Sequence, residues 1–446
     1  MSSTKSPVQA GKSRLRFAIV VVGVVASLLI VRLAQIELID GPRMAEQGRL
    51  ARLTDRPVPA VRGVITDVNG NKLAVSVKAY DIVADQTLVA GPQEVASKLA
   101  PLLHMDSAAL THRLIGKKRF IYIKRQVTPA LWQKVKALNL PGIFPAPAYQ
   151  RIYPAGASAG NILGFVNIDG GGAAGVESHM NTVLSGVPGM ARYEHNPAGD
   201  AIPGTAAENV PAIPGSNVRL TIDRDIQWYA ETQLAAAVKS SKADYGTIVM
   251  MDPTTGDIIA QATLPTVDPN QPGKVPAVDR GNHAITDVYE PGSTSKMMTM
   301  AAVLDNGAAT PLTKFKVPYS KKFGTRTLHD HNPHGITHWN LNGILAESSN
   351  IGTFMAASKI GKRKLYTALK KFGIGEPSGL GFPGESYGYV PDPSAWSITS
   401  FPTIAYGQGL SLNAFQAAAA YAAIANDGVR MNPRLIAGVT DPSGAY

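Results

Sequence analysis

The chain has 446 residues, of which 45% are hydrophobic and 17% charged, with a formal net charge of +11 and no cysteine. The length allows two or three domains with their own cores, and the missing cysteines exclude disulfides, thiolate metal sites and cysteine nucleophiles. The basic residues are scattered and no aromatic-rich RNA motif accompanies them. They indicate a solvated basic surface, and no nucleic-acid partner is expected.

Residues 17–39 predict a transmembrane helix. The run 17–31 carries no charged residue and continues to Ile39 with few polar intrusions, which is long enough for a bilayer. Residues 1–16 hold four basic and no acidic residues, so the positive-inside rule predicts a cytoplasmic N-terminus and a single-pass protein of the cell membrane. A cleavable signal peptide is the alternative, but no small-x-small cleavage site directly follows the apolar core.

Beyond the membrane, residues 40–215 combine strand and helix patterns. Strand-forming residues alternate around Asn69-Gly70, a strong hairpin signal. Asp106 opens a helix, and Thr128 precedes another as its N-cap. These patterns predict an α+β module, and no catalytic constellation appears in it.

A stretch rich in proline, glycine and alanine, residues 196–215, predicts a domain boundary or an extended connection. After it, residues 218–222 predict a strand and Asp223 caps a helix. Two strands are predicted around the turn at 253–256, and residues 415–424 predict a buried alanine-rich helix. A second domain is therefore expected from residue 216 onwards.

The strongest chemical signal is the stretch 289–298. A Pro-Gly turn delivers Ser293 to the start of an apolar helical run, with Lys296 one turn further on the same face. An alcohol becomes a good nucleophile when a base takes its proton, and a lysine whose pKa is lowered by burial can be that base. The spacing alone is weak evidence, since Ser2 and Lys5 show the same interval.

A rival site is a group of four histidines beside an aspartate, at a density that can bind zinc. The surrounding Asn-Pro and Gly residues indicate a loop, and no His-Glu-x-x-His is formed, so no metal is expected. The residues are His329, Asp330, His331, His334 and His338.

Several stretches together resemble the class B penicillin-binding proteins, the membrane-anchored D,D-transpeptidases of peptidoglycan synthesis, and most of all the division (septal) type. They lie at residues 62–67, 151–154, 175–177, 220–223, 252–256, 285–296, 348–352 and 406–410. The resemblance implies an α+β fold with four parts. These are a cytoplasmic tail (1–16), a transmembrane anchor (17–39), an elongated pedestal or dimerisation-like domain (40–215) and a β-lactamase-like serine transpeptidase domain (216–446).

The resemblance also assigns roles to four residues. Ser293 matches the acylated nucleophile and Lys296 its proton acceptor, while Ser348 matches the relay hydroxyl of the second motif and Asn350 the amide that orients lysine and substrate. Helix capping is the alternative role for Ser348. A second Ser-x-Asn at residues 411–413 has the same spelling, but the flanks of Ser348 match the family and it is predicted to lie on a helix.

The third motif of the family, Lys-Thr-Gly or Lys-Ser-Gly, occurs nowhere in the sequence. In the family, its strand supplies a cation for the substrate carboxylate and one N–H of the oxyanion hole, and losing one such donor costs about a hundred- to thousandfold in rate. The transpeptidase domain is therefore expected to lack its C-terminal strands. The chain would then be a truncated product or a member without full catalytic competence.

The function implied by the resemblance is cross-linking of peptidoglycan stem peptides through an acyl-enzyme during cell division, without a cofactor. Expected partners are stem peptides, lipid-linked wall precursors, β-lactams, the membrane and membrane proteins of the division machinery. A catalytically impaired, membrane-anchored division scaffold is the alternative function. A β-lactamase or β-lactam sensor is disfavoured by the single short anchor and the large intervening module.

Overall fold

The computed structural model describes residues 7–194 and 208–442, which form a mixed α+β fold. The helices are α1 (Pro7–Gln35), α2 (Gly41–Arg52), α3 (Pro92–Leu103), α4 (Ser107–Leu114), α5 (Pro129–Lys136), α6 (Gly160–Leu163), α7 (Gly175–His179), α8 (Asn181–Leu184), α9 (Arg224–Ser241), α10 (His283–Thr286), α11 (Lys296–Asp305), α12 (Leu341–Ala346), α13 (Asn350–Ser358), α14 (Gly361–Lys371), α15 (Ser400–Ala405) and α16 (Ala414–Ala425).

Fifteen strands accompany these helices in the described part of the chain. They are β1 (Leu53–Val58), β2 (Ile65–Thr66), β3 (Lys72–Ala84), β4 (Ile121–Val127), β5 (Ile143–Ile152), β6 (Gly189–Glu194), β7 (Glu208–Val210), β8 (Asn217–Leu220), β9 (Gly246–Met251), β10 (Ile258–Leu264), β11 (Lys314–Val317), β12 (Ser320–Phe323), β13 (Arg326–His329), β14 (Thr337–Asn340) and β15 (Ile436–Thr440).

The N-terminal helix α1 runs through a π-helical turn, Ile36–Asp40, into α2. The segment Leu15–Asp40 is long and apolar enough to cross a membrane. Its apolar side chains are exposed rather than packed on the remainder of the protein, as expected for a helix whose solvent is lipid. An apolar helix of the length that the sequence predicts is therefore present at this position.

The main sheet has six strands in the order β15-β8-β2-β3-β4, with β5 also paired to β3. The Asn69-Gly70 signal is confirmed, because β2 and β3 are antiparallel neighbours around it and Gly70 has a φ of +87°. The predicted caps are confirmed too, since Asp106 and Thr128 each accept a backbone N–H at the start of α4 and α5. Helices α3, α4 and α5 pack on one face of β3 and β4 in an apolar core.

The same sheet contains strands from both sides of residue 216. Strand β2 pairs in parallel with β8, Ile65 opposite Val218, and β15 pairs on the other side of β8. One apolar core likewise includes Leu73 and Val176 together with Phe415. The two halves of the chain therefore share backbone hydrogen bonds and a core.

A separate three-stranded sheet, β1-β6-β7, follows α2. The stretch 196–215 predicted a boundary or an extended connection. Its residues 196–207 lie outside the described part of the chain. Its described part contains β7, which pairs with β6.

The C-terminal half is built around α11. A β9–β10 hairpin packs against α9, and α11 lies in an apolar core with α13 and α14. The capping role of Asp223 at the start of α9 is confirmed, since its carboxylate accepts two backbone N–H groups. The predicted helix at 415–424 is confirmed as α16. The prediction that it is buried is wrong for part of its surface, because Tyr421 and Ile424 are exposed.

Candidate active site

The turn that carries Ser293, Gly292–Ser295, is a single 3₁₀ turn that leads directly into α11 at Lys296. Gly292 has a left-handed φ of +55°, which glycine adopts without a steric cost. The Ser295 hydroxyl donates to the Gly292 carbonyl at 2.8 Å and closes the turn. Ser293 is exposed at its apex, and among the described residues its hydroxyl has no hydrogen-bond partner. It is thus open to an incoming carbonyl.

A glycine loop supports this turn from behind. The Gly292 N–H donates to the Gly407 carbonyl at 2.9 Å. A Cβ at Gly407 would lie 2.0 Å from the Gly292 carbonyl oxygen and 2.2 Å from Ser295 Oγ, so a side chain there would displace the turn. The Tyr421 hydroxyl, on α16, also donates to the Thr294 carbonyl at 2.9 Å. The sequence carried no signal for the roles of Gly407 and Tyr421.

Lys296 is buried beneath the turn, with 1% of its surface exposed. Its ammonium donates to the Ser348 carbonyl and, at 3.1 Å, to the Ser348 hydroxyl. Burial lowers the pKa of Lys296 to about 8, although the negative charge of Asp330 opposes the shift. A large fraction of this lysine is therefore neutral near pH 8, as a general base must be.

Ser348 lies between α12 and α13, so its predicted place on a helix is wrong. Its φ is +53°, a left-handed conformation that costs a non-glycine residue about 1–3 kcal/mol. The helix cap is the next residue, because the Ser349 hydroxyl accepts the Gly352 N–H at 2.8 Å. The strained backbone turns both the carbonyl and the hydroxyl of Ser348 towards Lys296.

Asn350 is the first residue of α13. Its side-chain amide donates to the His329 carbonyl at 3.1 Å, and it makes no hydrogen bond to Lys296 among the described residues. The structure therefore brings Lys296 and Ser348 into contact, places Ser293 at the adjoining turn, and directs Asn350 towards the end of β13.

The sequence points to Asp330 only as a possible metal ligand. In the structure its carboxylate instead binds the residues that follow Ser348. It is 4% exposed and accepts hydrogen bonds from the Ser349 hydroxyl at 2.7 Å and the Ile351 N–H at 2.9 Å. His334 Nε2 lies 2.9 Å from the same carboxylate. In the described part of the chain, no group of three or more histidine, aspartate or glutamate side chains is arranged to hold a metal ion.

The second Ser-x-Asn, residues 411–413, has a structural role. Asn413 is buried and caps α16: its side chain accepts the Gln416 N–H at 2.8 Å, and the Gln416 side chain accepts the Asn413 N–H at 2.9 Å. This reciprocal capping box fully accounts for the asparagine.

Comparison with known proteins agrees with this architecture. Residues 57–220 match the penicillin-binding protein dimerisation domain, and residues 246–445 match the penicillin-binding protein transpeptidase domain. PbpB of Mycobacterium tuberculosis is 35% identical over 91% of the chain, and the D,D-transpeptidase FtsI of Escherichia coli is 32% identical over 90%. A probable peptidoglycan D,D-transpeptidase of Pseudomonas aeruginosa, PbpC, is 34% identical over 93% of the chain and 74% of its own length. The chain belongs to the division-type class B penicillin-binding proteins.

Solved structures of related proteins share the fold. A peptidoglycan synthetase from Bifidobacterium adolescentis superposes with a TM-score of 0.69 at 34% identity, covering 88% of this chain and 76% of that one. Penicillin-binding protein 3 of M. tuberculosis in complex with aztreonam gives 0.66 at 31% identity, covering 87% and 69%. The chain spans 62% of the length of M. tuberculosis PbpB and 69% of E. coli FtsI.

Proposed function

We propose that the protein is a serine D,D-transpeptidase that cross-links peptidoglycan stem peptides during cell division and is acylated by penicillin at Ser293. The observation that carries the proposal is the pairing of an exposed serine with a buried lysine whose pKa is lowered to about 8. Its relatives are named D,D-transpeptidases, and the related penicillin-binding protein 3 has been solved with β-lactams.

The reaction begins when neutral Lys296 takes the Ser293 proton, directly or through the Ser348 hydroxyl. Ser293 Oγ then bonds to the carbonyl carbon of the penultimate D-Ala, and the developing oxyanion faces the N-terminal end of α11, where backbone dipoles stabilise negative charge. The amide bond breaks, and the terminal D-Ala amine leaves with the proton that Lys296 held. Asn350 lies at the edge of this site, where it can contact the substrate.

The ester that remains keeps the free energy of the broken amide. An amine of a neighbouring stem peptide attacks the ester carbonyl and its proton passes to Lys296; the bond to Ser293 Oγ then breaks, and Lys296 returns the proton to that oxygen. This sequence needs no cofactor and no nucleotide, which suits a site on the outer side of a membrane.

For the placement in the cell, we infer a cytoplasmic tail of residues 1–16, an anchor at 17–39, a pedestal at 40–215 and a transpeptidase domain at 216–446 outside the cell membrane. The basic tail and the apolar helix support this orientation. Lipid-linked wall precursors and membrane proteins of the division machinery are the expected partners. A tagged copy at midcell would support the division role, and a copy along the sidewall would contradict it.

The test is covalent labelling with a fluorescent penicillin. We expect the chain to be labelled, Ser293→Ala to lose the label completely, and Ser411→Ala, in the unrelated Ser-x-Asn, to keep it. Mass spectrometry should place the adduct on Ser293. Labelling of Ser293→Ala at the level of the unmodified chain would refute the assignment.

A membrane-anchored division scaffold is the second candidate function. It is supported by the membrane-length apolar helix and by the match of residues 57–220 to the penicillin-binding protein dimerisation domain, neither of which depends on the serine and lysine. Midcell localisation together with no labelling of the unmodified chain would favour the scaffold over the enzyme.

A further inference from the structure

The loop that carries Ser348 is held by a short segment that follows β13. The Asp330 carboxylate accepts from the Ser349 hydroxyl at 2.7 Å and from the Ile351 N–H at 2.9 Å. The side chain of Asn350, between them, donates to the His329 carbonyl at 3.1 Å. The three residues directly after Ser348 are therefore bonded to two neighbouring residues of one segment.

Asp330 is itself held by His334. His334 Nδ1 lies 2.6 Å from the Gly335 carbonyl, and Nε2 lies 2.9 Å from Asp330 Oδ2. Both partners are acceptors, an arrangement that favours the doubly protonated ring. The hydrogen bond to Asp330 correspondingly raises the pKa of His334. Trp339 and Tyr319 pack against the ring, with centroids 4.8 and 5.8 Å away.

This pair acts where the backbone is strained. Ser348 keeps its left-handed conformation only because its surroundings impose it. On one side Lys296 binds the Ser348 carbonyl and hydroxyl. On the other side Asp330 binds the N-cap of α13, Ser349, and the second residue of that helix, Ile351. Without the carboxylate, the loop would lose two of the hydrogen bonds that hold it.

We propose that Asp330 and His334 are positioning residues that keep the Ser348 carbonyl and hydroxyl on Lys296, and so set the rate at which Ser293 is acylated. The proposal rests on the proposed transpeptidase function. Neither residue touches the reacting atoms. Both act through the loop that joins α12 to α13.

A second effect of Asp330 is electrostatic and gives the test its specificity. Its negative charge raises the pKa of Lys296 against the larger effect of burial. Acylation needs neutral Lys296, so removing this charge moves the midpoint of the acylation rate to lower pH. The titratable groups that face the pair are Lys296, His329, Tyr319 and Glu347.

The first experiment compares acylation rates by fluorescent penicillin across pH 5.5–9 for the unmodified chain, Asp330→Asn and His334→Gln. We expect Asp330→Asn to be about 10- to 100-fold slower, within the range of a misplaced catalytic group, with its midpoint at lower pH. His334→Gln keeps a donor and should be slower by less. The matched control is His331→Ala, because His331 is exposed. This variant should be acylated at the same rate as the unmodified chain.

No loss of rate in Asp330→Asn would overturn the positioning role, and a loss of rate without a shift in midpoint would overturn the electrostatic effect of Asp330 on Lys296. The proposed function would still stand if Ser293→Ala alone lost the label.

Hydrogen exchange of the amides at 348–352, followed by mass spectrometry, tests the positioning of this loop independently of acylation. We expect faster exchange there in Asp330→Asn and unchanged exchange in His331→Ala. Equal protection of these amides in all three proteins would refute the positioning role of Asp330, whether or not penicillin binds. If Asp330→Asn fails to fold, His334→Gln gives the same comparison with a smaller expected change.

Discussion

The pedestal and the candidate active site each bury charged side chains, and the partners of those charges differ. In the pedestal, fully buried Glu177 accepts from Arg62 Nε at 2.6 Å and from Arg151 Nε at 2.7 Å. In the active site, Lys296 donates both of its bonds to one neutral residue, Ser348. Within residues 7–194 and 208–442, no carboxylate lies within ion-pair distance of its ammonium.

The pedestal cluster extends further through neutral groups. Arg62 also donates to Asn181 and to Ser185, each at 2.9 Å, and the Tyr153 hydroxyl lies 3.2 Å from Glu177. Burial beside that carboxylate raises the pKa of Tyr153. Buried charges that pair with each other in this way hold the fold together, whereas burial of a charge with few partners, such as Lys296, shifts its pKa and makes it reactive.

The largest effect should come from replacing the active-site lysine. Lys296→Met removes the general base and should slow acylation by at least about a thousandfold. The melting temperature should stay the same or rise, because an under-compensated buried charge has been removed. Penicillin labelling and thermal unfolding measure the two quantities. A lower melting temperature with normal labelling would show that Lys296 stabilises the fold and is not the base.

In the pedestal, Glu177→Gln leaves two buried guanidinium groups without their counter-charge. The free energy of unfolding should fall by about 3–5 kcal/mol, while the folded fraction is still labelled at Ser293. Urea unfolding measures the change. Glu94→Gln, at an exposed carboxylate paired with Lys98, is the control and should unfold like the unmodified chain. Equal stability of Glu177→Gln would mean that the cluster is not structural.

The active site should also respond to pH. Acylation needs neutral Lys296, whose pKa is lowered to about 8, so its rate should rise about tenfold per pH unit below that value and level off above it. The free energy of unfolding should rise with pH between about pH 8 and the ordinary pKa of lysine, because in that range Lys296 is protonated only in the unfolded chain. A rate that still climbs steeply above pH 9 would show that burial does not shift this pKa.

The smallest effect is expected at the edge of the pedestal cluster. Tyr153→Phe removes one hydrogen bond to Glu177, which keeps both arginines, and should cost about 1 kcal/mol. Chemical denaturation measures it, with Tyr149→Phe on neighbouring β5 as the control. A loss as large as that of Glu177→Gln would show that the tyrosine, and not the ion pairs, holds the cluster together.

The sequence predicted what depends on neighbours in the chain. Asp106, Thr128 and Asp223 cap helices because a side chain and the N–H groups that it accepts lie within three residues. Ser293 and Lys296 share one turn of chain, so their proximity could be read from their spacing.

Long-range contacts left no such signal. Arg62 and Glu177 are 115 positions apart, and β2 meets β8 only through the topology of the sheet. Asp330 reaches the Ser349 hydroxyl across 19 positions, and the left-handed Ser348 is imposed by that tertiary setting and not by its own preference. The role of Asp330 in the site was therefore invisible before the fold was known.

The sheet that spans residue 216 makes the two halves of the chain depend on each other. A break in the chain there would separate β8 and β15 from β2, and each fragment would carry an unpaired strand edge that is free to pair with another copy. The C-terminal half is for this reason not expected to fold as a free-standing unit. Its sheet depends on a strand that the N-terminal half supplies.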